Sequence, residues 1–296
     1  MGYLFLSVSL LSGAVKGFCG KKMGTLAENI QSAVLLNLFR MGLCVLFGIG
    51  LLLAADAAAD LTPTPMLLGI SALSGVSTAA FVVCWLLAVR KSAYMLMDVF
   101  LLLGTVIPMA LGFALFSEPV SLRQGFGFLL LMTAAWIMCS YNNTVKSKLT
   151  VPAFLLLLSC GIANGAADFS QKLFVRMLPG LSVSVFNLYT YLFAGLTLAV
   201  CYFPLVRKEK PRFENGRIKL SLLYLVIMAV ALTANSYFKT LAAGYLDSAR
   251  LYPLSQGASL GLATAMAAIF FKEKLTLRAF GGILLAFIAL LLMNLS

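Results

Sequence analysis

The chain has 296 residues, of which 61% are hydrophobic and 11% charged, and so few polar side chains cannot cover a water-soluble globule of this size. Its net charge of +12 does not describe a nucleic-acid patch, because the basic residues fall in short breaks between apolar runs, where they face an anionic membrane surface. Six cysteines without CxxC spacing and a complete lack of histidine indicate neither a zinc site nor a disulfide framework, and nothing implies a cofactor.

A helix needs about 20 apolar residues to cross the hydrocarbon. The first run, 3–21, has no basic leader ahead of it and reads as a spanning helix, not as a cleaved signal peptide. Nine more runs follow at 32–54, 66–88, 94–115, 122–140, 151–173, 182–205, 220–240, 247–270 and 277–294. None alternates polar and apolar residues with the period of two that a membrane barrel strand requires, so the spans are helices. Between the second and third runs, Asp60-Leu61-Thr62-Pro63-Thr64-Pro65 stops one helix and starts the next. Pro108 and Pro253 predict kinks within the fourth and ninth runs. Tyr141 to Lys148 reads as a linker, and Arg207 to Lys219 is the longest polar stretch, with room for a short surface helix or a loop.

The turn after the fourth run holds Glu118 and Arg123, and the turn after the ninth holds Glu273 and Arg278, each pair 155 residues apart. Gly127 and Gly282 share that offset, while Asn37-Leu38-Phe39 and Asn187-Leu188-Tyr189 are 150 apart. A helix, a glutamate turn and a helix that recur at half the chain length predict two related halves, 1–142 and 143–296. Five spans per half is an odd number, so the second half is inverted in the membrane relative to the first. The predicted fold is an all-α polytopic membrane protein with ten transmembrane helices in two inverted five-helix repeats. Nearly all basic link residues, including Lys21, Lys22, Lys146, Lys148 and the 207–219 group, lie on the side opposite the N-terminus; Lys172 and Arg176 fall in a link on the N-terminal side. By the positive-inside rule both termini face outward from a cytoplasmic membrane.

Ionisable groups within spans are costly and point to a pathway or binding role. Arg40 lies deep in the second run with Asn37 one turn before it; Lys239 follows Asn235 by four residues in the eighth run. Asn164 and Asp168 form a stripe in the sixth, Asp98 follows Tyr94 in the fourth, and Lys16 lies in the first. These groups either pair with one another, as Arg40 with Asp98 or Lys239 with Asp168, or line a polar cavity whose excess positive charge receives an anionic or zwitterionic solute. In the second case Lys16, Asn37, Arg40, Trp85, Tyr94, Asn187, Asn235 and Lys239 are the substrate-binding candidates, and Tyr189, Tyr191, Tyr237 and Tyr252 are further candidates for the wall. Without histidine, proton coupling would fall to Asp98 or Asp168. Small residues at Gly125, Gly127, Gly257, Gly261, Gly281 and Gly282 suit close helix packing. No phosphate-binding glycine loop, HExxH or nucleophile motif is present, so the chain reads as a non-enzyme.

Glu118 with Gly127, Glu273 with Gly282, Pro253 and Arg40 together resemble the drug/metabolite transporter superfamily in its ten-helix EamA-like branch. The resemblance extends over essentially the whole chain. It implies a carrier of small organic solutes such as amino acids, nucleobases, sugars or drugs, working by alternating access through a cavity between the halves. It also implies both termini in the cytoplasm, opposite to the charge distribution. A channel, a lipid-scrambling protein, a membrane enzyme or a purely structural membrane protein are the competing readings. The partners expected are the bilayer and a small-molecule substrate; a homodimer is compatible with the sequence but not demanded by it.

Overall fold

A computed structural model of the chain describes residues 1–24, 28–90, 97–140, 151–213, 218–270 and 277–294. Among these residues the regular structure is eleven α-helices and one 3-10 turn: α1 (Gly2–Gly24), α2 (Ile30–Ala54), α3 (Pro65–Arg90), α4 (Met97–Gly104), α5 (Val106–Phe116), α6 (Leu122–Ser140), α7 (Val151–Met177), α8 (Val183–Lys208), α9 (Ile218–Ala243), α10 (Ser248–Phe270) and α11 (Leu277–Asn294), with the turn at Ala58–Leu61. Many of these helices are rich in Val, Ile and Phe, which favour strands in water. In hydrocarbon the helix prevails, because it alone satisfies every backbone N–H and C=O within one segment. Seven stretches are long and apolar enough to span a bilayer, and shorter apolar helices lie at Leu122–Ile137 and Phe280–Met293. The architecture is that of an all-α polytopic membrane protein.

Helix starts carry the expected caps. Asn29 Oδ1 accepts from Ser32 N at 3.0 Å, and Thr64 Oγ1 accepts from Leu67 N at 3.2 Å with Pro65 as the first helical residue. Ser121 and Gln124 form a reciprocal capping box ahead of α6: Gln124 N donates to Ser121 Oγ at 3.2 Å and Ser121 N to Gln124 Oε1 at 2.9 Å.

The fourth apolar run departs from expectation. Pro108 does not merely kink it; the helix is interrupted at Thr105, three residues earlier, dividing the run into α4 and α5. Pro108 has no N–H to give and its ring crowds the Gly104 carbonyl one turn back, so the chain breaks there. Thr105 turns both its N–H (3.0 Å) and its hydroxyl (2.7 Å) onto the Leu102 carbonyl. Pro253, and Pro204 in α8, are by contrast accommodated inside unbroken helices.

The helices form two compact units, one of Met1–Val83 with Ser170–Tyr245, the other of Cys84–Phe169 with Leu246–Ser296. Each unit draws on both halves of the sequence, and α3 and α7 pass from one to the other. In the first unit α1 packs along α9, and α2 packs against α8 and α9. Its apolar core includes Leu52, Leu67, Phe174 and Phe186, with the two phenyl rings stacked at 4.5 Å. Asp60 Oδ2 accepts from Ser182 N at 3.1 Å and the Tyr189 hydroxyl donates to Leu61 O at 2.8 Å, tying the α2–α3 link to the start of α8. In the second unit α6 lies along α11 and α10 touches α4, α5, α6 and α11, around Leu102, Leu131, Ala135 and Ala289.

In the second unit α4 and α7 approach closely at glycines. A Cβ at Gly104 would strike the Gly161 carbonyl oxygen, one at Gly161 the Phe100 carbonyl oxygen, and one at Gly165 the Gly104 carbonyl oxygen. Of the small residues singled out in the sequence, Gly127 packs on Met293 and Gly257 on Leu131 and Leu290, while Gly125, Gly261 and Gly281 face open space.

Candidate functional site

Arg40 lies in the middle of α2 and is only 6% exposed. Its one hydrogen-bond contact among the described residues is from Nη1 to the thioether sulfur of Met228, at 3.7 Å, and its Nε has none. Its electrostatic neighbours are the Cys44 thiol, one turn along α2, and the Tyr191 phenol on α8. Cys44 directs its sulfur at the Ala229 carbonyl (3.6 Å) of α9 and also feels the charge of Lys16 on α1.

Tyr191 is 2% exposed. Its hydroxyl lies close to those of Ser236 and Thr233 on α9, whose protons are committed to Asn187 Oδ1 at 2.9 Å and to the Ala229 carbonyl at 2.9 Å. It has no well-aligned hydrogen bond to either. Asn187, Thr190 and Tyr191 sit three and four residues apart, which puts them on one face of α8. The Asn187 amide nitrogen and the Thr190 hydroxyl are likewise buried without hydrogen bonds.

Helices α2, α8 and α9 therefore converge on a set of buried donors around a fixed positive charge. Buried polar groups are normally paired, and a buried charge left alone costs several kcal/mol. The described α-helical residues of this unit contain no Asp or Glu, Asp60 lying in the 3-10 turn, and among the described residues Arg40 has no carboxylate partner. A guanidinium offers five N–H donors in a planar fork suited to a carboxylate or phosphate.

The structure distributes the sequence candidates unevenly. Arg40, Asn187 and the wall candidate Tyr191 are brought together, and Lys16 reaches the edge of the cluster through Cys44. Asn37 spends its amide on the Ala33 carbonyl of its own helix at 2.7 Å. Asn235 ties α9 to α1, donating to Ser9 O at 2.7 Å while Ser9 Oγ donates back to Asn235 O at 3.0 Å. Lys239 is half-buried on α9, and Trp85 is half-buried in the part of α3 that belongs to the second unit. Tyr94 and Glu273 lie outside the described residues, as do the side chains of Asp98 on α4 and Arg278 on α11. Asp168 is buried on α7 in the second unit, where its carbonyl accepts from the Tyr252 hydroxyl at 2.7 Å.

Glu118 is 2% exposed and sits in the second unit. The chain leaves α5 through Ser117 in the left-handed conformation, φ 53°, which turns Glu118 inward so that its Oε2 accepts from Ser248 N, the first residue of α10, at 2.7 Å. A carboxylate at that helix start satisfies an orphan N–H and opposes the macrodipole. Arg123 is exposed.

The placement of Lys172 in a link is corrected. Helix α7 continues to Met177, and Lys172 is 1% exposed with Nζ donating to the Ala243 carbonyl at 3.0 Å. That carbonyl is one of the last four of α9, which have no partner within their helix and attract a cation. Cys44, Thr233 and Ser236 carried no sequence signal, since none is an unusual residue in an apolar span.

The fold defines a multi-pass membrane protein. Residues 151–295 match the EamA-like transporter family, which places that part of the chain among the EamA-like transporters of the drug/metabolite transporter superfamily. A crystal structure whose description names no activity shares the fold: it is 14% identical, with a TM-score of 0.79 over 99% of this chain and 96% of its own. It is one of 28 matching chains of known structure. No curated protein sequence matches.

Proposed function

We propose that the protein is a secondary transporter of a small organic anion or zwitterion, and that Arg40 receives the anionic group of the substrate. The observation that carries this reading is a buried guanidinium with no carboxylate partner among the described residues. Asn187, Thr190 and Tyr191 supply hydrogen bonds to the same ligand, and Lys16 and Lys239 add positive potential along its route. Alternating access between two inverted repeats, 1–142 and 143–296, moves the solute across a cytoplasmic membrane, and Asp98 or Asp168 carries the coupling proton.

A thermal-melting panel of amino acids, dicarboxylates, sugar phosphates, nucleosides and cationic drugs tests the substrate class, followed by uptake of each hit into proteoliposomes. An anionic or zwitterionic hit should lose about 100-fold in affinity in Arg40→Gln, the scale of a buried charge-assisted hydrogen-bond pair. Arg40→Lys, which keeps the charge but not the fork, should fall between. A cationic drug bound equally by wild type and Arg40→Gln would overturn the reading.

A further inference from the structure

The α8–α9 link is not a free loop where it leaves α8. Its backbone is strapped to the start of α2: Asn29 Nδ2 donates to Lys210 O at 2.8 Å, Arg212 N donates to Ser32 Oγ at 2.7 Å, and Glu28 N donates to Arg212 O at 3.3 Å. Gln31 Nε2 adds a bond to Leu205 O at 3.3 Å. Asn29, Gln31 and Ser32 are themselves buried. Every one of these bonds takes a backbone atom of the link or of the last turn of α8, and the side chains of Arg207, Lys208, Lys210 and Arg212 are exposed.

Two described carboxylates lie nearby: Glu28, and Glu209, which holds Arg212 at 3.6 Å in an exposed pair. The cations outnumber them two to one. The strap stands where α8 ends and α2 begins, at the level where an apolar span gives way to headgroups.

We propose that this strap is a binding site for the phosphodiester headgroup of an anionic phospholipid. Charge complementarity selects the ligand, since a phosphodiester takes bidentate bonds from arginine and point-charge contacts from lysine. Proximity selects a lipid as its source, because the span ends hold the cations at headgroup depth. The buried clamp distinguishes the strap from a floppy basic tail: the backbone that carries the cations is ordered before any lipid arrives, so little ordering entropy is lost on binding. The site is separate from the Arg40 cluster and does not depend on the identity of the transported solute.

The full-length protein is reconstituted into nanodiscs of phosphatidylcholine with and without phosphatidylglycerol. Retained lipid is counted by native mass spectrometry, and the melting temperature is read in both compositions. Wild type should retain phosphatidylglycerol preferentially and melt higher in its presence. The Arg207→Gln, Lys208→Gln, Lys210→Gln, Arg212→Gln combination changes only exposed side chains, so it keeps the fold and should weaken retention on the order of 1,000-fold at the usual worth of four basic residues near an anionic surface. Asn29→Ala with Ser32→Ala keeps all four charges and should lose most of the preference. Unchanged preference in the charge variant overturns the site. Unchanged preference in the clamp variant, or in Ser32→Ala alone if the double variant does not fold, reduces it to diffuse attraction and overturns it equally. Displacement of the lipid by millimolar glycerol phosphate would make the ligand a soluble phosphate and overturn the lipid assignment.

Discussion

Glu118 shows how one side chain fixes a junction. Its carboxylate holds the α10 start, and the space around it is used up: a Cβ at Gly112 would come within 2.7 Å of Glu118 Oε2 and 2.8 Å of Ser248 Oγ. Glu118→Ala strips an acceptor from a buried N–H and should cost about 1–3 kcal/mol, read as a lower melting temperature in detergent. Gly112→Ala should destabilise by a similar amount through displacement of the same carboxylate. Ser117→Gly should do the reverse, raising stability by about 0.5–1 kcal/mol, because glycine adopts the left-handed turn without strain. The sequence marked Glu118 as a repeat-turn residue through its spacing from Glu273. It could not say what the carboxylate holds, since Ser248 is 130 residues away. Lys172 was illegible for a related reason: a lysine at the very end of an apolar run looks like the start of a link until a neighbouring helix end claims it.

At the scale of helices, the span boundaries follow apolar length and were largely readable, and the positions of Pro63, Pro65 and Thr64 set the α3 start closely. Helix partners were not readable. The spacing Gly161-Ile162-Ala163-Asn164-Gly165 has the small-residue pattern that suits close crossing, but Gly257 and Gly261 have it too. Only the fold reveals that α4 presses its backbone on the first pair, whereas Gly261 meets nothing. Gly161→Ala should therefore lower the melting temperature by several degrees or prevent folding, while Gly125→Ala and Gly281→Ala should leave it unchanged within error. Pro108→Ala removes the cause of the Thr105 interruption. A continuous α4–α5 helix should melt higher and, on the alternating-access reading, carry solute more slowly; faster uptake in that variant would assign the interruption no part in transport.

For the whole molecule, the charge distribution makes a prediction that the family resemblance opposes. In a cysteine-free background, Glu209→Cys on the strap should react with a membrane-impermeant thiol reagent only from the cytoplasmic face, and Asp56→Cys only from outside. The opposite pattern would put both termini in the cytoplasm. The placement of Lys172 within α7 leaves the links on the N-terminal side with fewer exposed cations than the sequence suggested, which sharpens the asymmetry.

The two compact units cut across the order of synthesis. Helix α2 meets α8 only after about 70% of the chain has been made, α1 meets α9 only after about four-fifths, and α6 waits for α11, the last helix made. Helices α1, α2 and α6 therefore enter the bilayer before their main partners exist. Protein quality control meets this chain as a half-assembled intermediate, so a truncated first half should be degraded rapidly. Residues 143–296 supplied as a second polypeptide should rescue it, in the way subunits of an obligate heterodimer protect each other.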